Sequence, residues 1–167
     1  MSKNIVVTGG AGFIGSHLVD FLIKKNYKVT VIDNLSTGKK ENLKNSINRI
    51  RFIKANITNT KKIINYFKKV DYVFHLAALA DIVPSIQKPD EYFKSNVEGT
   101  LSVLECCRKY KIKKIIYSAS SSCYGITKNF PTKESEKILP EYPYALTKYL
   151  GEQIVMHWGK IYKIPYI

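Results

Sequence analysis

Tyr144 and Lys148 stand four residues apart in the segment YALTK, where a helix would set them one above the other on a single face. That pairing suits proton transfer. A phenol, with an ordinary pKa of about 10, becomes a usable base when a neighbouring cation stabilises its anion. An alcohol that is to lose a hydride needs such a base for its hydroxyl proton. The spacing alone is cheap in a chain with 12 tyrosines, and Y-x-x-x-K recurs at Tyr110–Lys114 and Tyr124–Lys128. Context separates the three. Tyr110 sits where a helical pattern runs out into a strand, and Tyr124 precedes Gly125 in a loop. Only Tyr144 follows a proline and opens a run in which Leu146, Leu150, Ile154 and Val155 are available to a core.

The second constellation is TGGAGFIGSHL, from Thr8 to Leu18. Glycine inside a helix costs roughly 0.5–1 kcal/mol against alanine, so four of them at the start of one imply a need for bare backbone. Gly10, Gly12 and Gly15 fit G-x-G-x-x-G, and Gly9, Gly12 and Gly15 fit G-x-x-G-x-x-G. Lying between a strand and a helix, either pattern lets backbone N–H groups meet a pyrophosphate at a helix N-terminus. Asp33 ends the next strand, 18 residues after Gly15. A carboxylate there accepts hydrogen bonds from an adenosine ribose and repels a 2′-phosphate, which favours NAD over NADP as the cofactor. Lys39 and Lys40 follow it closely and pull the other way.

Elements to position these groups are legible along the chain. NIVVTGG, YKVTVID, IRFIKANI, DYVFHLAA and KKIIYSAS read as five strands. Helical patterns run from Phe13 to Lys25, through KKIINYFKKV, from Glu91 to Tyr110 and from Tyr144 to Lys160, and DIVPSIQKPDEY reads as a loop with short helical turns. This alternation, with near-continuous apolar strands, predicts an α/β fold. It is a doubly wound parallel sheet, the Rossmann fold, with helices on both faces. KIPYI reads as the start of a sixth strand, and the expectation is a chain cut short there, one NAD-binding domain over residues 1–167.

Composition fits one globular domain, with 45% hydrophobic and 24% charged residues. No apolar run approaches the ~20 residues of a membrane span, and the N-terminus lacks signal-peptide features. Cys106, Cys107 and Cys123 show neither metal-ligand nor disulfide spacing and read as packing residues of a reducing compartment; the expectation is a cytoplasmic protein that binds no metal. The net charge of +14 comes from 27 basic residues of which only Arg49, Arg51 and Arg108 are arginines, scattered along the chain. That pattern favours an anionic ligand and speaks against nucleic-acid recognition, which leans on clustered arginine. His17, His75 and Trp158 read as packing residues. Asp81, beyond the fourth strand, is a weaker candidate for facing a ligand.

TGGAGFIGSHL, VIDNLSTG, HLAA, SNVEGT, SASSSCYG and YALTK, in that order, resemble the motifs of the extended short-chain dehydrogenase/reductases, in particular the NAD-dependent nucleotide-sugar epimerases and dehydratases, nearest the UDP-sugar 4-epimerases. The resemblance covers the whole chain and implies roles position by position. Gly9, Gly12, Phe13, Ile14 and Gly15 would line the pyrophosphate turn. Asp33 and Asn34, with Ser36 nearby, would hold the adenosine ribose. Asn56 and Ile57 would flank adenine, although the family usually has Asp where Asn56 stands. Ala77 and Ala78 would pass close to the cofactor, with Asn96 near the site. Tyr144 would be the catalytic base, Lys148 would bind the nicotinamide ribose, and Ser120 would hydrogen-bond the reacting sugar hydroxyl. The two long helices, Glu91–Tyr110 and Tyr144–Lys160, would form a homodimer interface, and the family's C-terminal substrate-binding lobe would be absent.

The serine stretch discriminates within the family. Dehydratases carry an acidic pair after the Ser/Thr, and decarboxylases a Glu two residues on; here Ser121 and Ser122 follow Ser120, with no acid before Tyr124. Without a carboxylate, water elimination lacks its general acid. The expectation is therefore 4-epimerisation of a nucleoside-diphosphate sugar through a transient 4-keto intermediate. A nucleotide-sugar dehydratase, a fragment that binds NAD without turnover and a non-catalytic dinucleotide sensor stand as alternatives. Sensors usually lose the Tyr or the Lys, and both are present.

Overall fold

The computed structural model describes residues 2–167. Strands β1 (Asn4–Thr8), β2 (Lys28–Asp33), β3 (Arg51–Lys54), β4 (Tyr72–His75) and β5 (Lys114–Tyr117) form one sheet in the order β3-β2-β1-β4-β5, every pairing parallel. The strand order reverses between β1 and β4. A parallel sheet aims the carboxyl ends of all its strands at one rim, and the reversal opens a crevice there.

Alternate residues explain the two packed layers. Ile5, Val7, Val29 and Val31 pack with Val19, Leu22 and Ile23 of helix α1 (Phe13–Lys24). Val6, Ile32, Val73 and Ile115 face the other way, against Phe67 and against Val103 and Leu104 of α5 (Gly99–Tyr110) and Val155 of α6 (Pro143–Tyr162). The remaining helices are short: α2 (Thr60–Ile63), α3 (Ile82–Gln87) and α4 (Pro89–Tyr92). Asn59 caps α2 by accepting from the Lys62 N–H at 3.1 Å. Between β2 and β3 the chain crosses on two 3-10 turns, Lys40–Leu43 and Ile47–Arg49, with Leu43 fully buried beneath. The outer edge of β5 pairs with the C-terminal residues. Ile115 donates to the Pro165 carbonyl at 2.9 Å and Tyr117 to that of Ile167 at 2.8 Å, so KIPYI lies where a sixth strand belongs.

The helix expected over Glu91–Tyr110 differs in its first half. It begins at Pro89, and Phe93–Glu98 is a π-helical segment between α4 and α5. The wider turn accommodates an extra residue while Asn96 faces inward. Nothing in the local propensities of FKSNVE marks it.

Gly15 fixes α1 onto the sheet: a Cβ there would collide with the Gly9 carbonyl oxygen. Gly15→Ala is expected to push the helix off the turn and cost about 1–3 kcal/mol, the range for overpacking, read as a lowered urea midpoint at unchanged m-value.

Candidate functional site

The glycine turn leaves β1 at the crevice. Gly9 has φ +71, and a Cβ on it would lie 2.6 Å from the Ala77 backbone nitrogen, so the connection after β1 touches the one after β4 with no room for a side chain. Gly12 then opens α1 with no side chain capping its first turn and no acid in it. The free N–H groups of that turn and the positive end of the helix dipole face the rim. A Cβ on Gly12 would meet only the Gly9 oxygen, at 3.3 Å.

A groove continues from this turn over the ends of β2, β3 and β4, lined by Gly9, Gly12, Asp33, Asn34, Ser36, Asn56, Ile57, Ala77 and Ala78. Asp33 is 7% exposed. Its carboxylate accepts from the Ala11 N–H at 2.9 Å and the Leu35 N–H at 2.8 Å, which aims it and leaves further lone pairs for a ligand. The Asn34 and Asn56 side chains each accept from a backbone N–H two residues on, Ser36 and Thr58, both at 3.0 Å, and hold their loops in Asx-turns. Thr37, Gly38 and Ser95 also line the groove and were not singled out in the sequence. The Ser-Thr-Gly run after Asp33 was the available signal for the first two.

The reactive end lies across β4 and β5. Ser120, at the start of a 3-10 turn (Ser121–Tyr124), accepts from the Ser122 N–H at 3.2 Å and from the Tyr144 hydroxyl at 3.4 Å. Tyr144 is half-buried in the first turn of α6, behind Pro143. Lys148, one turn on, is only 6% exposed. Its ammonium donates to the Ser118 carbonyl at 2.6 Å and lies 4.2 Å from the centre of the Tyr117 ring. Burial pulls its pKa down to about 8, partly opposed by the Glu152 carboxylate. The Tyr117 hydroxyl donates to the Lys148 carbonyl at 3.1 Å, and burial pushes that phenol's pKa up. Buried Tyr92 meets the Tyr144 ring edge-on, centroids 6.5 Å apart. Neither Tyr117 nor Tyr92 carries a local signal; one reads as a strand residue and the other as a helix residue.

Of the expected set, Phe13 and Ile14 extend exposed side chains, so only their backbone belongs to the turn. Gly15 serves the packing of α1 rather than the groove lining. Asn96 follows Ser95 of the groove lining. It is 1% exposed, and its amide is spent on the protein: it accepts from the Leu79 N–H at 2.8 Å and donates to the Leu79 carbonyl and to Thr147 Oγ1, both at 3.0 Å. Asp81 precedes α3 at the surface, His17 packs against Phe13, and Trp158 donates to Glu105 between α6 and α5 at 2.8 Å. Among the described residues no group of three His, Cys, Asp or Glu could hold a metal.

An uncapped helix start, a bare-backbone turn and a buried carboxylate at the next strand end are the parts that hold a dinucleotide's pyrophosphate and ribose, and they fit NAD. Fold and site together define a dinucleotide-binding domain of the short-chain dehydrogenase/reductase type. The sequence profile of the NAD dependent epimerase/dehydratase family matches residues 5–167, and the chain belongs to that family. UDP-glucose 4-epimerase of Lacticaseibacillus casei is 36% identical over 159 residues, 94% of this chain and 47% of its own. Two solved structures superpose closely. UDP-N-acetylglucosamine 4-epimerase from Methanobrevibacter ruminantium M1, in complex with UDP-N-acetylmuramic acid, is 44% identical at a TM-score of 0.93, over 99% of this chain and 53% of that one. UDP-glucose 4-epimerase from Brucella ovis, in complex with NAD, is 33% identical at 0.92, over 99% and 50%. The chain thus spans about half the length of these relatives.

The buried Lys148 cation carries a stability cost that depends on pH. Its folded pKa of about 8 lies below the ordinary 10.5, so the unfolded chain binds the extra proton between those values. The cost is complete below pH 8 and is relieved as pH rises towards 10.5, a span worth about 3 kcal/mol. Denaturation of the cofactor-free protein at stepped pH should show this rise, and Lys148→Met should flatten it and stabilise the protein by about 1–3 kcal/mol at pH 7.

Proposed function

We propose that the chain binds NAD along the groove and catalyses 4-epimerisation of a nucleoside-diphosphate sugar, a UDP-sugar by its likeness to the relatives above. The contact between the Tyr144 hydroxyl and Ser120 Oγ at 3.4 Å carries this reading, with Lys148 buried one turn behind, on the rim that also bears the glycine turn. NAD, when bound, would supply a reversible hydride acceptor. Tyr144 takes the proton of the sugar 4-hydroxyl, and Ser120 hydrogen-bonds the same oxygen. Lys148 stabilises the phenolate and holds the nicotinamide ribose. Tyr144 would give the proton back once the flat 4-keto sugar is reduced on its other face, so the cycle consumes nothing.

A dehydratase would need an acid beside the ketone. Ser120 to Tyr124 offers hydroxyls and one buried thiol, and this supports epimerisation over elimination. Among the described residues no helix is long and apolar enough to cross a membrane. The buried free thiols of Cys106, Cys107 and Cys123 support the cytoplasmic setting.

Incubating the purified chain with UDP-glucose and UDP-N-acetylglucosamine, with mass spectrometry for bound NAD and NMR for 4-epimers, is the test. Conversion is expected, and Tyr144→Phe should lower turnover by about 10²–10⁴-fold while NAD stays bound. Bound NAD without conversion would reduce the reading to cofactor binding; full activity in Tyr144→Phe would remove the base.

The expected homodimer through the Pro89–Tyr110 helical stretch and α6 is supported by exposed apolar side chains on α6, Leu146, Met156 and Ile161. Sedimentation equilibrium at micromolar concentration should then report twice the 19.1 kDa chain mass; a monomer there contradicts it.

A further inference from the structure

A line of buried hydrogen bonds runs from the glycine turn to the helix that bears Tyr144. Thr8, the last residue of β1, pairs in register with His75, the last of β4. His75 Nδ1 lies 2.7 Å from Thr8 Oγ1, and Nε2 lies 3.0 Å from Thr100 Oγ1. The Thr100 hydroxyl donates to the Asn96 carbonyl at 2.6 Å. The Asn96 amide donates to Thr147 Oγ1 at 3.0 Å, and the Thr147 hydroxyl donates to the Tyr144 carbonyl at 2.9 Å. Thr8, His75, Thr100, Asn96 and Thr147 are all buried.

Proton counting orients every link. The Thr100 hydroxyl has one proton, and a carbonyl can only accept, so that proton is spent on Asn96. Thr100 must then accept from His75, which places the ring proton on Nε2. Nδ1 keeps its lone pair and accepts from the Thr8 hydroxyl. Thr8 Oγ1 in turn accepts from the Ala77 N–H at 3.3 Å. The ring is neutral, since burial pulls the His75 pKa down to about 3. All donors point the same way, from β1 to α6, and no buried side-chain polar atom among the described residues lacks a partner.

We infer that His75, Thr100, Asn96 and Thr147 are positioning residues: their chain fixes the α6 turn bearing Tyr144 and Lys148 in place relative to the glycine turn. The inference rests on the proposed function in one respect, that these two elements grip the two ends of one dinucleotide. Slack in the chain then weakens the grip although none of its four members lines the groove. Thr100→Val is the informative change because it removes the hydroxyl and keeps the shape. It strips His75 Nε2–H of its acceptor and the Asn96 carbonyl of its donor, while Thr100→Ser restores both.

NADH titration of the purified chain, followed by its fluorescence, and hydrogen exchange of the backbone amides test this together. Thr100→Val and Thr147→Val should each weaken NADH binding about tenfold, and the double variant no further than the weaker single. Thr100→Ser should stay within twofold of the parent. Exchange at Tyr144–Lys148 should speed up in Thr100→Val and not in Thr100→Ser. Val103→Ala, buried on the same helix but outside the chain, serves as a control for general loosening. Thr100→Val binding within twofold of the parent, or a control with matched loss of Tm losing as much affinity, overturns the inference. If the parent itself fails to bind NADH, the proposed function falls, and the exchange comparison still decides the chain: unchanged exchange in Thr100→Val overturns it.

Discussion

Two neighbouring strands that leave the sheet in different directions create everything the site uses. β1 turns into α1 on one face, and β4 runs on into the segment from Leu76 to Asp81. At their base the two exits touch, Gly9 against Ala77, so closely that only a glycine with positive φ fits. Above that contact they diverge and the groove opens between them. Below it, the strand ends bury Thr8 and His75 side by side. The contact therefore works as a seam. It holds the phosphate-binding turn against the half of the fold that carries the reactive groups, and a side chain at position 9 would force the two apart.

Polar groups under such a seam are dangerous unless matched, because burial without a partner costs about 1–3 kcal/mol each. Asp33, His75 and Asn96 are matched by protein groups of definite polarity. Lys148 is matched less well. Its ammonium has one carbonyl and one aromatic face, and no carboxylate in hydrogen-bond contact. The exposed Lys113–Asp71 pair at 2.7 Å shows the opposite arrangement, fully countered and of little energetic weight in solvent. A buried cation short of acceptors is a poor device for stability. In the proposed reaction it would stabilise a phenolate formed one turn away.

Much of this was legible in the chain. Short, near-continuous apolar runs marked all five strands and implied helices on both faces. The glycine turn and Asp33 were readable because backbone strain and a charge at a strand end are local facts. Tyr144 stood apart from Tyr110 and Tyr124 through Pro143, again a local signal. What escaped was non-local. The π-helical segment carries Asn96, whose amide reaches Leu79 and Thr147, and the ring under Lys148 comes from a strand residue, Tyr117, that reads as plain core. Asn96, expected near the cofactor by resemblance, bonds its amide to Leu79 and Thr147 beside Ser95 of the groove lining.

The layout also separates reaction type from substrate choice. In the proposed reaction the groove from Gly9 to Ala78 would hold the dinucleotide, and Ser120, Tyr144 and Lys148 would address one carbon of the sugar and its oxygen, indifferent to what the sugar carries elsewhere. Discrimination among sugars has to come from contacts remote from that carbon, and remote contacts raise the rate only when their binding energy is realised in the transition state. Relatives that share this half of the fold bear names with different sugars, UDP-glucose and UDP-N-acetylglucosamine, which is what a common reactive rim combined with separate recognition elements would produce. The seam at Gly9 and the buried chain at His75 lie in the half of the fold that these relatives share.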